Sequence, residues 1–217
     1  MKPWIIIVCL CLFHALALAG SPIEPGQPFP GISLPAPGDS HQRDYLGLPR
    51  GRTEFMLHEV TADTIIVQVF SMYCPHCQRM APAVNELYHI MKAAEEAGTS
   101  MKLIGIAGGN SVLETSIFRD KYDVPFPLFP DEDARLSASL GVVRTPHFFV
   151  LAGTGKTLTV VLSHVGGFDD PHRFLDEALR AAENRHKAAL SHFSLGGDGG
   201  GMISLFLGRS VSLRTAG

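Results

Sequence analysis

Hydrophobic and polar positions follow two different periods along the middle of the chain. Residues 64–70 (TIIVQVF) form a run of β-branched and apolar side chains, which predicts a strand buried on both faces. Residues 75–97 instead place apolar side chains at spacings of four, three, four and three. This pattern predicts a helix with one apolar face, formed by Met80, Val84, Leu87, Met91 and Ala94. Gly98 follows as a residue that ends the helix.

The same two periods continue toward the C-terminus. They predict strands at residues 101–107, 128–129, 147–151 and 159–164, and helices at residues 111–122, 132–140 and from 171 onward. Ser111 and Glu114 have the spacing of a capping box, and Asp170 precedes Pro171 as a helix cap. Strands that alternate with helices predict parallel pairing, and the closing hairpin adds antiparallel strands. The predicted fold class is α/β, with a central mixed sheet flanked by helices.

The two ends of the chain differ from its middle. Residues 1–19 combine Lys2, an apolar run and Ala17-Leu18-Ala19, which predicts a signal peptide cleaved after Ala19 and a periplasmic or otherwise exported protein. The alternative is a membrane anchor that is retained. The apolar run of about 10 residues is shorter than the roughly 20 that span a membrane, which favours cleavage over an anchor. No stable membrane span is expected after cleavage.

Three further segments follow the signal peptide. Residues 20–53 are rich in proline and glycine and predict an extended N-terminal extension. Residues 54–187 carry the predicted strands and helices and form the domain. Residues 188–217 contain a glycine cluster and a short apolar patch at 202–207, which predict a flexible tail that is too short in apolar length to span a membrane.

Net charge and cysteine content limit the classes of function that the chain can have. The 217 residues are 46% hydrophobic, which fits one globular domain, and a net charge of −3 gives no broad attraction to nucleic acid. Cleavage of the leader removes two of the four cysteines and leaves Cys74 and Cys77. A disulfide between them closes too small a ring to constrain the unfolded chain, so the pair indicates chemistry rather than stabilisation.

The motif Cys74-Pro75-His76-Cys77 lies where the first strand ends and the long helix begins. Helix N-terminal amides stabilise an anion, so we expect a lowered pKa for the Cys74 thiol, and a protonated His76 adds positive charge nearby. A structural zinc site needs a second ligand pair, which the remaining cysteines do not supply. The spacing therefore favours redox chemistry.

Residues 70–82 (FSMYCPHCQRMAP) resemble the active-site segment of thioredoxin-like proteins. The resemblance covers residues 54–185 and includes Pro82, the Gly166-Gly167 turn, and Thr145-Pro146, where the family carries a cis-proline beside the disulfide. It implies a thioredoxin-like fold. It further implies that Cys74 is the nucleophile and Cys77 the resolving cysteine, tuned by the residues between them, Pro75 and His76. Thr145 and Pro146 would form the ledge that binds substrate.

The resemblance also implies partners and cofactors. Protein thiols and disulfides would be the substrates, a membrane redox protein would be the partner, and no organic cofactor is needed beyond the Cys74–Cys77 disulfide. The Pro-His dipeptide is similar to that of the DsbA oxidases. The helix–strand–helix excursion at residues 108–140 and the lead-in at 29–34 instead resemble the TlpA/ResA group and its peroxiredoxin-like relatives. Both directions therefore stay open: a reductase, as in cytochrome c maturation, or an oxidase.

The sequence departs from the family pattern at two places. Gln68 stands where thioredoxins carry a buried acid, so water or another group must deprotonate Cys77, and Glu54 and Glu59 are the candidates. Val67 and Ser71 stand where a peroxiredoxin carries proline and threonine, so a peroxidase is the minor reading.

A metal-binding protein is the competing class. His147 directly follows Pro146 and, with His76 and the two thiols, could bind copper or zinc. Because side chains alternate along a strand, we favour a His147 that points away from Cys74, and we predict no metal site.

Overall fold

The computed structural model describes residues 21–96, 98–153 and 155–194, with side chains described as far as residue 188. The predicted signal peptide at residues 1–19, and the glycine cluster and apolar patch of the tail, lie outside the described residues. In chain order the elements are β1 (Ser33–Pro35), α1 (Ser40–Leu46), β2 (Glu54–Met56), a 3₁₀ turn (Leu57–Glu59), β3 (Thr64–Phe70), α2 (Pro75–Glu96), β4 (Met101–Gly108), α3 (Val112–Lys121), β5 (Leu128–Asp131), α4 (Arg135–Ser139), β6 (His147–Ala152), β7 (Thr159–Val165) and α5 (Pro171–Ser194).

A five-stranded sheet in the order β5-β4-β3-β6-β7 forms the centre of the fold. Strands β3, β4 and β5 are parallel, whereas β6 runs antiparallel to β3 and β7 antiparallel to β6. The central strand β3 is buried along its whole length, as its uninterrupted apolar run predicts. The α/β class and the mixed sheet are confirmed, and so is the order of elements from β3 onward.

Helices and the N-terminal extension cover opposite faces of the sheet. On one face α2 and α5 pack Val84, Leu87, Phe174 and Leu175 against the sheet, and this side also contains Cys77. On the other face the apolar side chains come from the extension and from α1, and they are Phe29, Ile32, Leu34, Leu46 and Leu48. The extension therefore completes the core that the sheet leaves open.

The N-terminal extension is more ordered than its proline content indicates. Its backbone pairs with the edge of the sheet, since Gly26 N–H donates to Val160 and Phe29 N–H donates to Leu158, both at 2.8 Å. Strand β1 pairs antiparallel with β2, so the two-stranded sheet crosses the boundary expected at residue 53. Partner strands supply the hydrogen bonds that composition alone does not reveal.

Two helix boundaries differ from the predicted ones. Helix α5 continues to Ser194, beyond residue 187, because residues 188–194 contain neither glycine nor proline. Helix α4 is shorter than predicted and begins at Arg135, since Ala134 lies in the left-handed region with φ of 54°. In the described part of the chain, no helix combines the length and the apolar character that crossing a membrane requires.

Candidate active site

The strand-to-helix junction places Cys74 at the N-terminus of α2. Strand β3 ends at Phe70, and a tight turn closed by the 3.1 Å hydrogen bond from Cys74 N–H to Ser71 C=O leads into the helix. Pro75 occupies the first helical position, where its missing N–H costs no hydrogen bond. The Cys74 carbonyl accepts from Gln78 N–H at 3.1 Å, so the helix starts at Cys74, the predicted nucleophile.

The loop that precedes β6 lies against Cys74. The Cys74 thiol donates to the Thr145 carbonyl with an Sγ–O distance of 3.2 Å, and the Thr145–Pro146 peptide bond is cis. The Pro146 carbonyl in turn accepts from Gly166 N–H at 2.8 Å, which ties this loop to the glycine turn before α5. The residues implied by the resemblance, Cys74, Thr145 and Pro146, therefore meet in one place.

The Gly166-Gly167 turn fits closely against α2. Gly166 has φ of 97°, which favours glycine, and a Cβ atom on Gly167 would come within 2.5 Å of the Met80 Sδ atom. These two glycines therefore let the β7–α5 turn approach the helix that carries the cysteines.

The two cysteines occupy different environments. Both are free thiols, with Cys74 half-buried at the surface and Cys77 fully buried one turn along α2. Burial is the main influence on the Cys77 thiol, and it raises the pKa to about 12 despite a hydrogen bond with the Ser71 backbone. For Cys74, burial acts in the same direction, but hydrogen bonds with the Thr145 side chain and with backbone groups of Cys77 and His76 outweigh it and lower the pKa.

Cys74 is therefore expected to alkylate faster than Cys77 in the native protein. At pH 6 we expect a ratio of at least about tenfold in iodoacetamide rate, because the thiolate is the reacting form. The measurement uses the single-cysteine variants Cys74→Ser and Cys77→Ser, each with its remaining thiol followed by mass spectrometry. The ratio should collapse in denaturant, and equal rates in the native state would contradict the assigned environments.

The His76 side chain lies beside Arg79, within the first turns of α2. The imidazole is exposed, and its Nδ1 atom lies 2.9 Å from Arg79 Nη2. A guanidinium can only donate, so Nδ1 is the acceptor in this contact. Arg79, one turn into α2, therefore places a positive charge beside the motif, and the sequence reasoning did not single it out.

Side chains from distant parts of the chain hold the loop before Cys74. The Met72 N–H donates to Asn110 Oδ1 at 2.8 Å, and the Met72 carbonyl accepts from Gln78 Nε2 at 2.7 Å. The Tyr73 hydroxyl hydrogen-bonds the Glu114 carboxylate, which also completes the capping box of α3. Sequence reasoning found the capping box but not its contact with the cysteine loop.

Gln68 lies on the face of β3 that carries the cysteine helix. It is buried, in register with Gly105 on β4 and Phe148 on β6, and shares its face with Ile66 and Phe70. A neutral amide therefore occupies the side of the sheet where Cys77 is buried.

The two glutamates considered as bases have partners elsewhere. Glu54 accepts from the Ser33 hydroxyl at 3.2 Å, and Glu59 is paired with Arg52, both at the two-stranded sheet. Among the described residues, neither cysteine has a hydrogen bond to a carboxylate. Glu54 and Glu59 are thus not placed to deprotonate Cys77.

His147 points away from the cysteines, as strand alternation predicts. It is fully buried, stacks on Phe149 with ring centroids 4.2 Å apart, and its Nε2 atom lies 2.9 Å from Ser163 Oγ. Phe149 belongs to the core on the face opposite Cys77. In the described residues no group of three or more His, Cys, Asp or Glu side chains is arranged to hold a metal. His147 is therefore not placed to bind copper together with the two cysteines.

Stability is expected to fall between pH 6.5 and pH 4 because of His147. Burial, helped by the nearby His164, lowers its pKa from 6.5 to about 4, so the unfolded chain binds the proton more tightly. The contribution is complete above pH 6.5 and is lost as pH falls toward 4. About 2 kcal/mol of it should be lost between pH 7.5 and pH 5. Urea unfolding at pH 7.5 and pH 5 measures it. His147→Phe should flatten this slope and the exposed control His172→Phe should not, and equal slopes in all three proteins would refute the assignment.

Known proteins resemble this chain in sequence and in fold. The model of the AhpC/TSA family matches residues 25–161, and the chain belongs to this family. The thiol-disulfide oxidoreductase ResA of Halalkalibacterium halodurans is 23% identical over 114 residues, which cover 52% of this chain and 60% of the relative. The ResA of Geobacillus thermodenitrificans is 21% identical over 108 residues, covering 50% and 59%. The chain thus spans about three fifths of the length of these relatives.

Solved structures establish the fold. A protein of Chlorobium tepidum assigned as a thiol:disulfide interchange protein DsbE superposes with a TM-score of 0.54 at 18% identity, covering 74% of this chain and 98% of that one. The thioredoxin domain of a thiol-disulfide oxidoreductase from Bacteroides vulgatus gives 0.51 at 14% identity, covering 71% and 97%. The fold is therefore thioredoxin-like, as the sequence resemblance implied.

Proposed function

We propose that the protein is a thiol–disulfide oxidoreductase that exchanges disulfides with protein substrates through Cys74 and Cys77. The observation that carries the proposal is the contrast between the two thiols, which lie one helical turn apart. Cys74 is accessible and has a lowered pKa, whereas Cys77 is buried and has a raised pKa. An attacking thiol and a protected resolving thiol need these two environments.

The exchange proceeds in two balanced steps. The Cys74 thiolate attacks one sulfur of a substrate disulfide, a new S–S bond forms, and the other substrate sulfur leaves as a thiolate. Cys77 then loses its proton to solvent or to that departing thiolate and attacks Cys74 Sγ, which releases the second substrate sulfur. After the second step the protein contains a Cys74–Cys77 disulfide, and the substrate has gained two electrons. The reverse sequence oxidises a substrate dithiol.

The groups around the cysteines support this order of steps. The Thr145 carbonyl already accepts a hydrogen bond from Cys74, so the cis-peptide loop borders the space into which a substrate sulfur must come. Gln68, buried on the same side of the sheet as Cys77, is a neutral amide and cannot act as a base, so deprotonation of Cys77 depends on water or on the leaving thiolate. The redox group is the cysteine pair itself, and we propose no further cofactor.

For the biological direction we propose reduction in an exported setting, as in cytochrome c maturation, with a membrane protein supplying electrons. The resemblance of the scaffold to the TlpA/ResA group supports this role, and the ResA relatives are thiol-disulfide oxidoreductases. The lowered pKa of Cys74 favours the opposite direction, because a stabilised thiolate makes the disulfide more oxidising. The predicted leader at residues 1–19 provides the route of export.

The reduction potential is expected to distinguish the two directions. A reductase should equilibrate near about −270 mV, and an oxidase near about −120 mV. Redox equilibration with dithiothreitol and glutathione buffers, read by mass spectrometry of alkylated protein, gives the value. A reduction potential near the oxidase value would overturn the proposed reductive role, but it would leave the proposed thiol–disulfide exchange in place.

A further inference from the structure

The large apolar side chains that remain exposed share one edge of the fold. In the described part of the chain there are six such residues, exposed by 44% to 73%, and they are Tyr73, Val112, Leu113, Ile117, Val143 and Val165. Exposed apolar groups that cluster, rather than scatter singly, mark interaction surfaces.

Sheet topology explains why these residues lie together. Tyr73 follows the end of β3 and Val112 follows the end of β4, and the two strands are parallel. Val143 precedes β6, which is antiparallel to β3, and Val165 ends β7, which runs in the same sense as β3. All four connections therefore lie at the same end of the sheet as Cys74, which is the carboxyl end of β3.

Exposed apolar residues extend from the loop before Cys74 along α3. Val112, Leu113 and Ile117 lie on the outer face of α3, whereas Thr115 and Phe118 face the core. This outer face is joined to the active site by Tyr73, which precedes Cys74 and hydrogen-bonds Glu114 of α3. We call Tyr73, Val112, Leu113 and Ile117 the α3 strip.

Two exposed arginines lie near Cys74 in addition to the Glu114 carboxylate. Arg79 contacts His76 within the motif, and Arg144 precedes Thr145, whose carbonyl contacts Cys74. Both arginines are exposed, and neither forms an ion pair among the described residues. Glu114 is hydrogen-bonded to Tyr73 and Ser111. A partner at this edge therefore meets an apolar strip and two cations without salt-bridge partners.

We propose that the α3 strip binds an extended apolar segment of the substrate polypeptide, with an acidic side chain near its reacting cysteine facing Arg79 and Arg144. The inference rests on the proposed function and names the substrate class of that site. A polypeptide sulfur bonded to Cys74 Sγ brings its own flanking residues close to the exposed Tyr73, the chain neighbour of Cys74. Burial of the exposed apolar area then stabilises the mixed disulfide and the transition state that leads to it.

The test uses four short peptides, each with one cysteine activated as a mixed disulfide with 5-thio-2-nitrobenzoate. Their flanks are either leucine and valine or serine, and their charged residue is either aspartate or lysine. The second-order rate constant of the reduced protein is followed by release of the coloured thiolate. We expect the apolar aspartate peptide to react about tenfold faster than the serine lysine peptide.

Variants separate the apolar from the electrostatic part. Val112→Ser/Leu113→Ser should remove the preference for apolar flanks, lowering the rate constant for the apolar peptide about tenfold relative to that for the plain aromatic disulfide. Arg144→Ser should instead reduce the preference for aspartate over lysine. The exposed control Glu177→Ser on α5 should keep both preferences.

The outcomes distinguish this inference from the function on which it rests. If the wild-type protein fails to react with the plain aromatic disulfide, the proposed function itself is wrong. If it reacts but shows no preference among the peptides, the substrate inference is overturned. It is also overturned if sedimentation shows a dimer that Leu113→Ser dissociates, because the strip would then bind a second copy of the chain.

Discussion

Replacement of Cys74 by serine is expected to abolish disulfide exchange, with a loss in turnover on the order of 10⁴-fold. The serine hydroxyl does not ionise near neutral pH and forms no bond with sulfur equivalent to a disulfide. Nothing else at the helix terminus replaces it, because Cys77 is fully buried and its pKa is raised to about 12. Reduction of insulin disulfides in the presence of dithiothreitol measures the loss.

Cys77→Ser is the matched control for this prediction. It should also stop turnover, but it should leave the first step intact and accumulate a mixed disulfide between Cys74 and the substrate. Mass spectrometry of the unreduced protein detects the adduct. Adducts found in Cys74→Ser and absent from Cys77→Ser would mean that the two cysteines have exchanged roles.

Replacement of Phe148 by alanine is expected to destabilise the fold by about 4 kcal/mol. The ring is fully buried, and its centroid lies 5.3 Å from that of Phe168 and 5.4 Å from that of Phe174 on α5. Its removal leaves a cavity between β6 and α5, behind the loop that carries Pro146. Urea unfolding measures the change, since the midpoint falls with the free energy of unfolding.

The exposed residue Val143 provides the control for the Phe148 prediction. Val143→Ala removes apolar atoms from the same end of the fold, but at a side chain that is 73% exposed, so it should change stability by at most about 0.5 kcal/mol. A loss of less than about 1 kcal/mol for Phe148→Ala would contradict the packing of α5 against β6.

Periodicity and local helix signals predicted the elements that build the site. The strand at Thr64–Phe70 and the helix from Pro75 have the expected bounds to within one residue, because each carries many apolar positions in register with its period. The capping box at Ser111 is present, with Glu114 N–H donating to Ser111 Oγ at 3.3 Å. These signals are local, so no knowledge of the sheet is needed to read them.

The N-terminal extension was harder to predict because its order depends on partners. Strand β1 has only three residues, and its pairing with β2 is not encoded by either segment alone. Local signals do mark both ends of helix α1. Asp39 caps it by accepting from Gln42 N–H at 2.9 Å, and Gly47 ends it with φ of 69°.

The candidate site divides in the same way. Short sequence motifs and the family resemblance predicted the roles of Cys74, Cys77 and the Thr145–Pro146 bond. Asn110 was missed because its contact with Met72 spans 38 residues and requires β4 to end beside β3. Arg79 was missed because its approach to His76 is a matter of side-chain geometry within α2. Residues that act on a neighbouring element leave no periodic or motif signal.

A redox titration of the wild-type protein tests the central claim most directly. The protein is equilibrated in buffers of graded dithiothreitol or glutathione potential, and its free thiols are then alkylated and counted by mass spectrometry. We expect both thiols to disappear together in one two-electron transition, giving a reversible Cys74–Cys77 disulfide that neither Cys74→Ser nor Cys77→Ser can form. Thiols that persist in the most oxidising buffer, or that are lost independently, would contradict a thiol–disulfide oxidoreductase.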